Sequence, residues 1–528
     1  MRPRITLSAR GRPPLPRPRR PAAARSAVIA RGETRSANRA SWASVPRGTD
    51  GSPPVAEPPA APPRAPSAGP ADRPSPGEAV WSAAERLAPR FYQMDRMVLR
   101  NVARVQRAFR KARVGPHHFQ GSTGYGHGDL GRAVLDEVFA DIFGAEAALV
   151  RPQFMSGTHA IATALFACLR PGDEMVCAAG HPYDTLEEVI GTRRSGVADV
   201  GSLADFGVSY TEVPLLPSGG VDIAALVDAV GEKTKASPPP AGIAGLPAGP
   251  LPPRRGARPA PGPTPPAPRP GRAQVVEIQR SCGYALRPTL TVEEVGEVVR
   301  AVKAKKPGVL CLVDNCYGEF TEEAEPTHVG ADLVMGSLIK NGGGTIVPGG
   351  GYVAGRADLV ERCAARLSAP GLGTDAGNVN GEHLRLMFQG LWMAPFITGE
   401  SMKGGMLVQE VLGAEGFATR PDTPAGARRV DFITSVVLGS PERMQAFCSA
   451  VQARSPVGSY VSPVPGATAG YGDEVLFADG TFVDGATSEL SADGPLREPY
   501  AVYCQGGQHW TQWAHVLEGC VEAVRELE

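Results

Sequence analysis

Apolar positions along the chain switch repeatedly between a helical and a strand-like period. A 3.6-residue period over 132–143 predicts an amphipathic helix, and the apolar run at 147–150 a short strand. Helix 157–168, strand 175–178 and helix 185–191 follow, then a helix at 221–235. The pattern resumes with strand 275–278, helix 292–304 and strands 309–313 and 333–335. Short apolar runs alternating with helices build βαβ units, so this part predicts an α/β fold on a mixed, mostly parallel sheet. Ligands of such sheets sit at the carboxyl ends of the strands. From about residue 395, helices at 441–452 and 513–527 mix with short strands, which predicts a smaller α+β C-terminal domain.

Two stretches have no period. Residues 1–32 hold nine Arg and no acid, with Ser, Ala and Pro filling most of the rest, the composition of an organelle transit peptide. We therefore expect import into a plastid, with a mitochondrion or the cytoplasm as alternatives. Pro-rich sequence continues to residue 76 and reads as a disordered linker. In 236–272, fourteen of 37 residues are Pro, so this segment is either a disordered insertion or a retained intron. The expected organisation is leader and linker (1–76), N-terminal segment and large domain (77–394), and small domain (395–528).

Charge changes the picture in one respect. Lys plus Arg and Asp plus Glu both total 54, yet residues 1–75 and 236–272 hold 19 Arg against four acids. The remaining body is thus near −15, which argues against nucleic acid as a partner. No apolar run reaches the ~18–20 residues of a membrane span. The nine Cys form no CxxC pair, and His117, His118 and His127 lack a metal-ligand pattern. We expect reduced thiols and no metal.

Four groups of residues fall where this architecture binds ligands. Ser156, Gly157 and Thr158 open the helix at 157–168, and a helix N-terminus with small hydroxyl residues suits a phosphate or an ordinary cap. Tyr183 follows strand 175–178 and is placed either to stack on a flat ligand or in a surface loop. Asp314 ends strand 309–313, where a carboxylate serves as turn residue, metal ligand, base or partner of a protonated ring nitrogen. Strand 333–335 runs through Ser337 to Lys340 and three glycines, so backbone can approach a ligand closely.

The order of these groups resembles fold-type I pyridoxal-phosphate (PLP) enzymes, the aspartate-aminotransferase-like fold. Four longer stretches, 119–132 (FQGSTGYGHGDLGR), 151–160 (RPQFMSGTHA), 337–344 (SLIKNGGG) and 489–503 (ELSADGPLREPYAVY), resemble the methionine gamma-lyase-like family of aluminium resistance proteins. The resemblance implies Lys340 as the Schiff-base lysine, Asp314 as pyridine partner, and Ser156, Gly157, Thr158 and Ser337 as phosphate contacts. It further implies Tyr183 as the ring-stacking residue and Tyr125 as a contact to a neighbouring subunit's cofactor, hence a homodimer or homotetramer. Family members usually carry Arg where this chain has Cys282 and Pro where it has Gly342, which leaves Arg280 and Arg497 as candidates to clamp a substrate carboxylate. The implied activity is a carbon–sulfur lyase acting on a sulfur amino acid, a methionine gamma-lyase-like elimination. An aminotransferase or racemase, or a non-catalytic aluminium- or stress-tolerance protein of the same fold, are the alternatives.

Overall fold

The computed structural model describes residues 73–193, 200–230, 274–422 and 429–528. The leader, almost all of the linker and the 236–272 insertion lie outside the described residues, and nothing here bears on their structure.

The described chain begins with helix α1 (Pro76–Lys111), whose start is set by a capping box: Ser75 accepts from the Glu78 N–H while the Glu78 carboxylate returns to the Ser75 N–H. Helix α2 (Leu130–Phe143) leads to β1 (Ala147–Arg151), α3 (Gly157–Cys168), β2 (Glu174–Cys177), α4 (Asp184–Ile190), β3 (Ser209–Glu212) and α5 (Ile223–Ala229). Next come β4 (Gln274–Gln279), α6 (Val292–Lys305), β5 (Leu310–Asp314), β6 (Leu333–Ser337), β7 (Gly351–Gly355) and α7 (Ala357–Leu367). The 34-residue helix α8 (Gly381–Ala414) precedes β8 (Ala418–Arg420), β9 (Thr434–Val437), α9 (Pro441–Ala453), β10 (Val475–Ala478), β11 (Ser491–Pro495), β12 (Ala501–Gln505) and α10 (Trp510–Arg525).

Strands β1 to β7 form one sheet in the order β1-β7-β6-β5-β4-β2-β3. All run parallel except β7, which opposes both of its neighbours. Both faces are covered, which explains the continuous apolar runs seen in the sequence. Val276, Val313 and Val334 point into a core shared with α2, α6 and α8, whereas Val275, Leu312 and Leu333 point into another with α3 and α7. Strands β8 to β12 form a second, antiparallel sheet backed by α9 and α10, the expected smaller α+β unit.

The expected boundary at 394/395 falls inside α8. Leu384 to Ala394 pack in the large core, and Met402 to Leu412 in the C-terminal core, so one helix serves both. The N-terminal segment is divided as well. Val80 to Met94 of α1 bury against α8 and α10 in the C-terminal core, while Asn101 and Arg104 bond to the backbone at 320–323 of the large unit. All nine cysteines are buried and none forms a disulfide, and no described helix is long and apolar enough to cross a membrane.

Helix α8 also lies directly on the loop that follows Lys340. A Cβ on Gly390 would sit 2.2 Å from the Gly343 carbonyl oxygen, and one on Gly344, at φ 55°, 2.4 Å from the Gly390 oxygen. Backbone therefore meets backbone with no room for a methyl group. Gly390→Ala is expected to destabilise the fold by about 1–3 kcal/mol through overpacking. A urea midpoint unchanged from that of the parent would contradict this packing.

Candidate active site

Strand ends and one helix start converge on Lys340. Ser156 caps α3, its hydroxyl accepting from the His159 N–H at 3.1 Å. A Cβ on Gly157 would lie 3.1 Å from Cys316 Sγ and 3.2 Å from Ser337 Cβ, so the missing side chain is what lets the first turn of α3 approach the ends of β5 and β6 so closely. The N–H groups of that turn and the positive end of its dipole thus lie close to Ser337, an arrangement whose chemistry suits an anion. Thr158 reaches sideways, its hydroxyl bonded to that of Thr185 at 2.8 Å.

Asp314 sits beside this arrangement at the end of β5. Its carboxylate accepts from the Cys316 N–H at 3.0 Å. Burial lifts its pKa above the ordinary value, while the Cys316 N–H and the charge of Lys340 pull it back. A protonated ring nitrogen placed against it would ease the same burden.

Lys340 Nζ lies 3.6 Å from the centroid of the Tyr317 ring, within cation–π range. Burial favours the neutral amine, but the Tyr317 phenol and the Cys316 thiol outweigh it and hold the ammonium above the usual lysine value. The loop carrying Lys340 is fixed by Asn341, whose amide donates to the carbonyls of Tyr317 at 3.1 Å and Glu319 at 3.0 Å.

In front of Lys340 is a cavity of about 160 Å³ between the two sheets. Tyr183, Tyr284 and Tyr317 line it from the large unit, and Tyr471, Asp493 and Gln505 from the C-terminal one. The hydroxyls of Tyr183 and Tyr471 are hydrogen-bonded to each other. Burial pushes the Tyr471 phenol up to about 12 and that of Tyr183 well above its ordinary value, so both keep their protons. Arg193 fastens the Tyr471 loop to α4, donating to the carbonyl oxygens of Gly470 and Asp184 and pairing with Glu187 at 2.8 Å. A larger apolar groove between α3 and α7, lined by Phe166, Phe206 and Arg366, shares no residue with this site.

The two expected carboxylate clamps do not line the cavity. Arg280 is wholly buried and committed to the fold: Nη1 donates to Asn315 at 2.9 Å and to the Gly318 carbonyl at 2.7 Å, Nη2 to Thr321 at 3.2 Å and Glu322 at 2.7 Å, and Nε to the Leu290 carbonyl at 3.1 Å. With these bonds in place it has nothing to offer a substrate, and its assignment is corrected to a structural one. Arg497 stays at the rim, paired with Asp473 at 2.8 Å and Asp184 at 3.9 Å. Tyr125 is 73% exposed and stacked on His127, apart from the residues around Lys340. Cys282, where the resemblance leads one to expect Arg, packs its thiol among Ile433, Ala501 and Tyr503.

Sequence reasoning did not assign Tyr284, Tyr317, Tyr471, Asp493 or Gln505 to the site. Tyr317 follows the strand-end Asp314 by three residues and Asp493 lies inside a recognised stretch, so both carried a positional signal. Tyr471 had none, because it belongs to an irregular segment rich in Gly and Pro.

Comparison with known proteins places these observations in a family. The family described as Methionine gamma-lyase matches residues 77–237 and 269–526, and the gap falls within the Pro-rich insertion. Uncharacterized protein YnbB of Bacillus subtilis is 42% identical over 435 residues, 82% of this chain and 92% of YnbB. The structure of a carbon-sulfur lyase involved in aluminum resistance from Clostridium novyi is 36% identical, with TM-score 0.73 over 85% of this chain and 95% of its own. A candidate cystathionine beta-lyase involved in aluminum resistance from Listeria monocytogenes is 40% identical, with TM-score 0.74 over 85% of this chain and 99% of its own. The fold is thus that of fold-type I PLP enzymes, as expected from the sequence. The plastid expectation does not stand: these relatives are bacterial, and they point to the cytoplasm instead.

Proposed function

Because the chain belongs to the methionine gamma-lyase family, we propose that it is a PLP-dependent carbon–sulfur lyase that eliminates a thiol from a sulfur amino acid. The observation that carries this reading is the single cluster formed by an anion cradle at Gly157 and Ser337, the Asp314 carboxylate and the Lys340 amine. The residues present fit the cofactor: a glycine-lined helix start for its phosphate, a carboxylate with a raised pKa for its ring nitrogen, and an amine for its carbonyl.

When bound, PLP supplies an electron sink for the pair left at the substrate's α-carbon. Ser156, Gly157, Thr158 and Ser337 hold its phosphate, and Asp314 keeps its ring nitrogen protonated. Tyr183, which lines the cavity, would stack on its ring. Lys340 Nζ holds the cofactor and then moves the α-proton. The Tyr183–Tyr471 hydroxyl pair, still protonated, donates to the departing sulfur. The crevice between the sheets excludes water from the reacting atoms.

Methionine is the simplest substrate: loss of methanethiol leaves an enamine, and one water admitted at that stage hydrolyses it to ammonia and 2-oxobutanoate. Cofactor-loaded protein given methionine, cystathionine or cysteine separately is expected to release ketoacid from at least one of them. Lys340→Ala is expected to reduce that rate by about 10³-fold or more while the circular dichroism stays unchanged. If turnover requires an amino-group acceptor, or Lys340→Ala retains full rate, the proposal is wrong.

The reading extends to assembly. Exposed Tyr125 is assigned to the cofactor phosphate of a neighbouring copy, which makes the active unit at least a homodimer. Sedimentation at assay concentration is expected to find no active monomer, and a fully active monomer would refute the assignment.

A further inference from the structure

The C-terminal unit contributes three hydrogen-bond acceptors to the cavity, on Asp493, Gln505 and Asp479. Asp493, on β11, is 2% exposed. Its carboxylate accepts from the Tyr284 hydroxyl at 2.6 Å, the Gln505 amide at 2.7 Å and the Ser491 hydroxyl at 3.1 Å. All three donors are neutral. They pull the carboxyl down against the upward push of burial, which leaves it at about 6, and three donors aimed at its two oxygens suit the ionised form. A buried carboxylate whose donors are all neutral is costly, and the cost falls when a cation arrives.

Gln505 points the same way. It is 3% exposed and lines the cavity, and because its Nε2 is committed to Asp493, its Oε1 is left as an acceptor with no partner in the protein. Asp479, half-buried in the same unit, adds a second carboxylate. Among the described residues lining the cavity Lys340 is the one cation, and in the proposed reaction it is occupied with the cofactor. An orphaned amide oxygen and two carboxylates match a group that has donors and no acceptors, which describes an ammonium.

We infer that Asp493, Gln505 and Asp479 form a subsite for a positively charged amine at the far end of the substrate's side chain, so the preferred substrates are amino acids carrying a distal ammonium. This rests on reading the cavity as the amino-acid site. It does not require that elimination be the reaction.

The test separates the two. L-ornithine and L-norleucine have side chains of equal length that end in an ammonium and a methyl group, and neither carries a sulfur leaving group. Calorimetric titration of the cofactor-loaded protein is expected to give ornithine at least about tenfold tighter binding than norleucine. Asp493→Asn should abolish that preference. Asp479→Asn, at a less buried position, should weaken it, which keeps the test informative if the first variant folds poorly. In a second arm, S-(2-aminoethyl)-L-cysteine should exceed S-propyl-L-cysteine at least about tenfold in kcat/KM for pyruvate release. Norleucine binding as tightly as ornithine, or a preference that survives both substitutions, overturns the subsite. A preference for ornithine with no ketoacid from either thioether supports the subsite and overturns the lyase.

Discussion

The contact between α8 and the loop after Lys340 is the constraint on which the site depends. About 51 Å long at 1.5 Å per residue, α8 contributes its first half to the core under the seven-stranded sheet and its second half to the C-terminal core. Within the first half, at Gly390, its backbone touches that of Gly343 and Gly344. The lysine is thus held by the same element that joins the two units. Helix α1 reinforces the arrangement, with one half buried against α8 and the other bonded to the segment after β5.

That framework creates a crevice rich in polar groups kept from water. Each carries a mark of its surroundings: Asp314 and Asp493 are pushed above the ordinary carboxylate range by burial, and the phenols of Tyr183 and Tyr471 are pushed above theirs. Groups perturbed in this way cluster where a protein binds and reacts with a ligand. Arg280 marks the limit of that inference. Although it is wholly buried one residue past the end of β4, its bonds run to five neighbours in the fold and it takes no part in the cavity.

Much of this was legible in the chain because local periodicity and strand ends carry it. The helix expected at 157–168 coincides with α3, and the strand expected at 309–313 is β5 displaced by one residue. Ser156, Gly157, Asp314, Ser337 and Lys340 stood at strand or helix ends, and those ends converge in the fold. What was not legible depends on distant partners. The bonds of Arg280 reach residues 290 to 322, and Asp493 meets Tyr284 across 209 positions of sequence. Strand β7 reads weakly because it is short and begins and ends in Gly. The change to mixed helices and short strands put the boundary near residue 395, where α8 in fact continues unbroken.

The central claim is that Lys340 holds the cofactor covalently. Reducing the PLP-loaded protein with borohydride, digesting it and locating the modified residue by mass spectrometry tests it most directly. The account predicts one phosphopyridoxyl group, carried by the peptide that contains Lys340. A group on Lys303, Lys306 or Lys403, or no fixed cofactor at all, would contradict it.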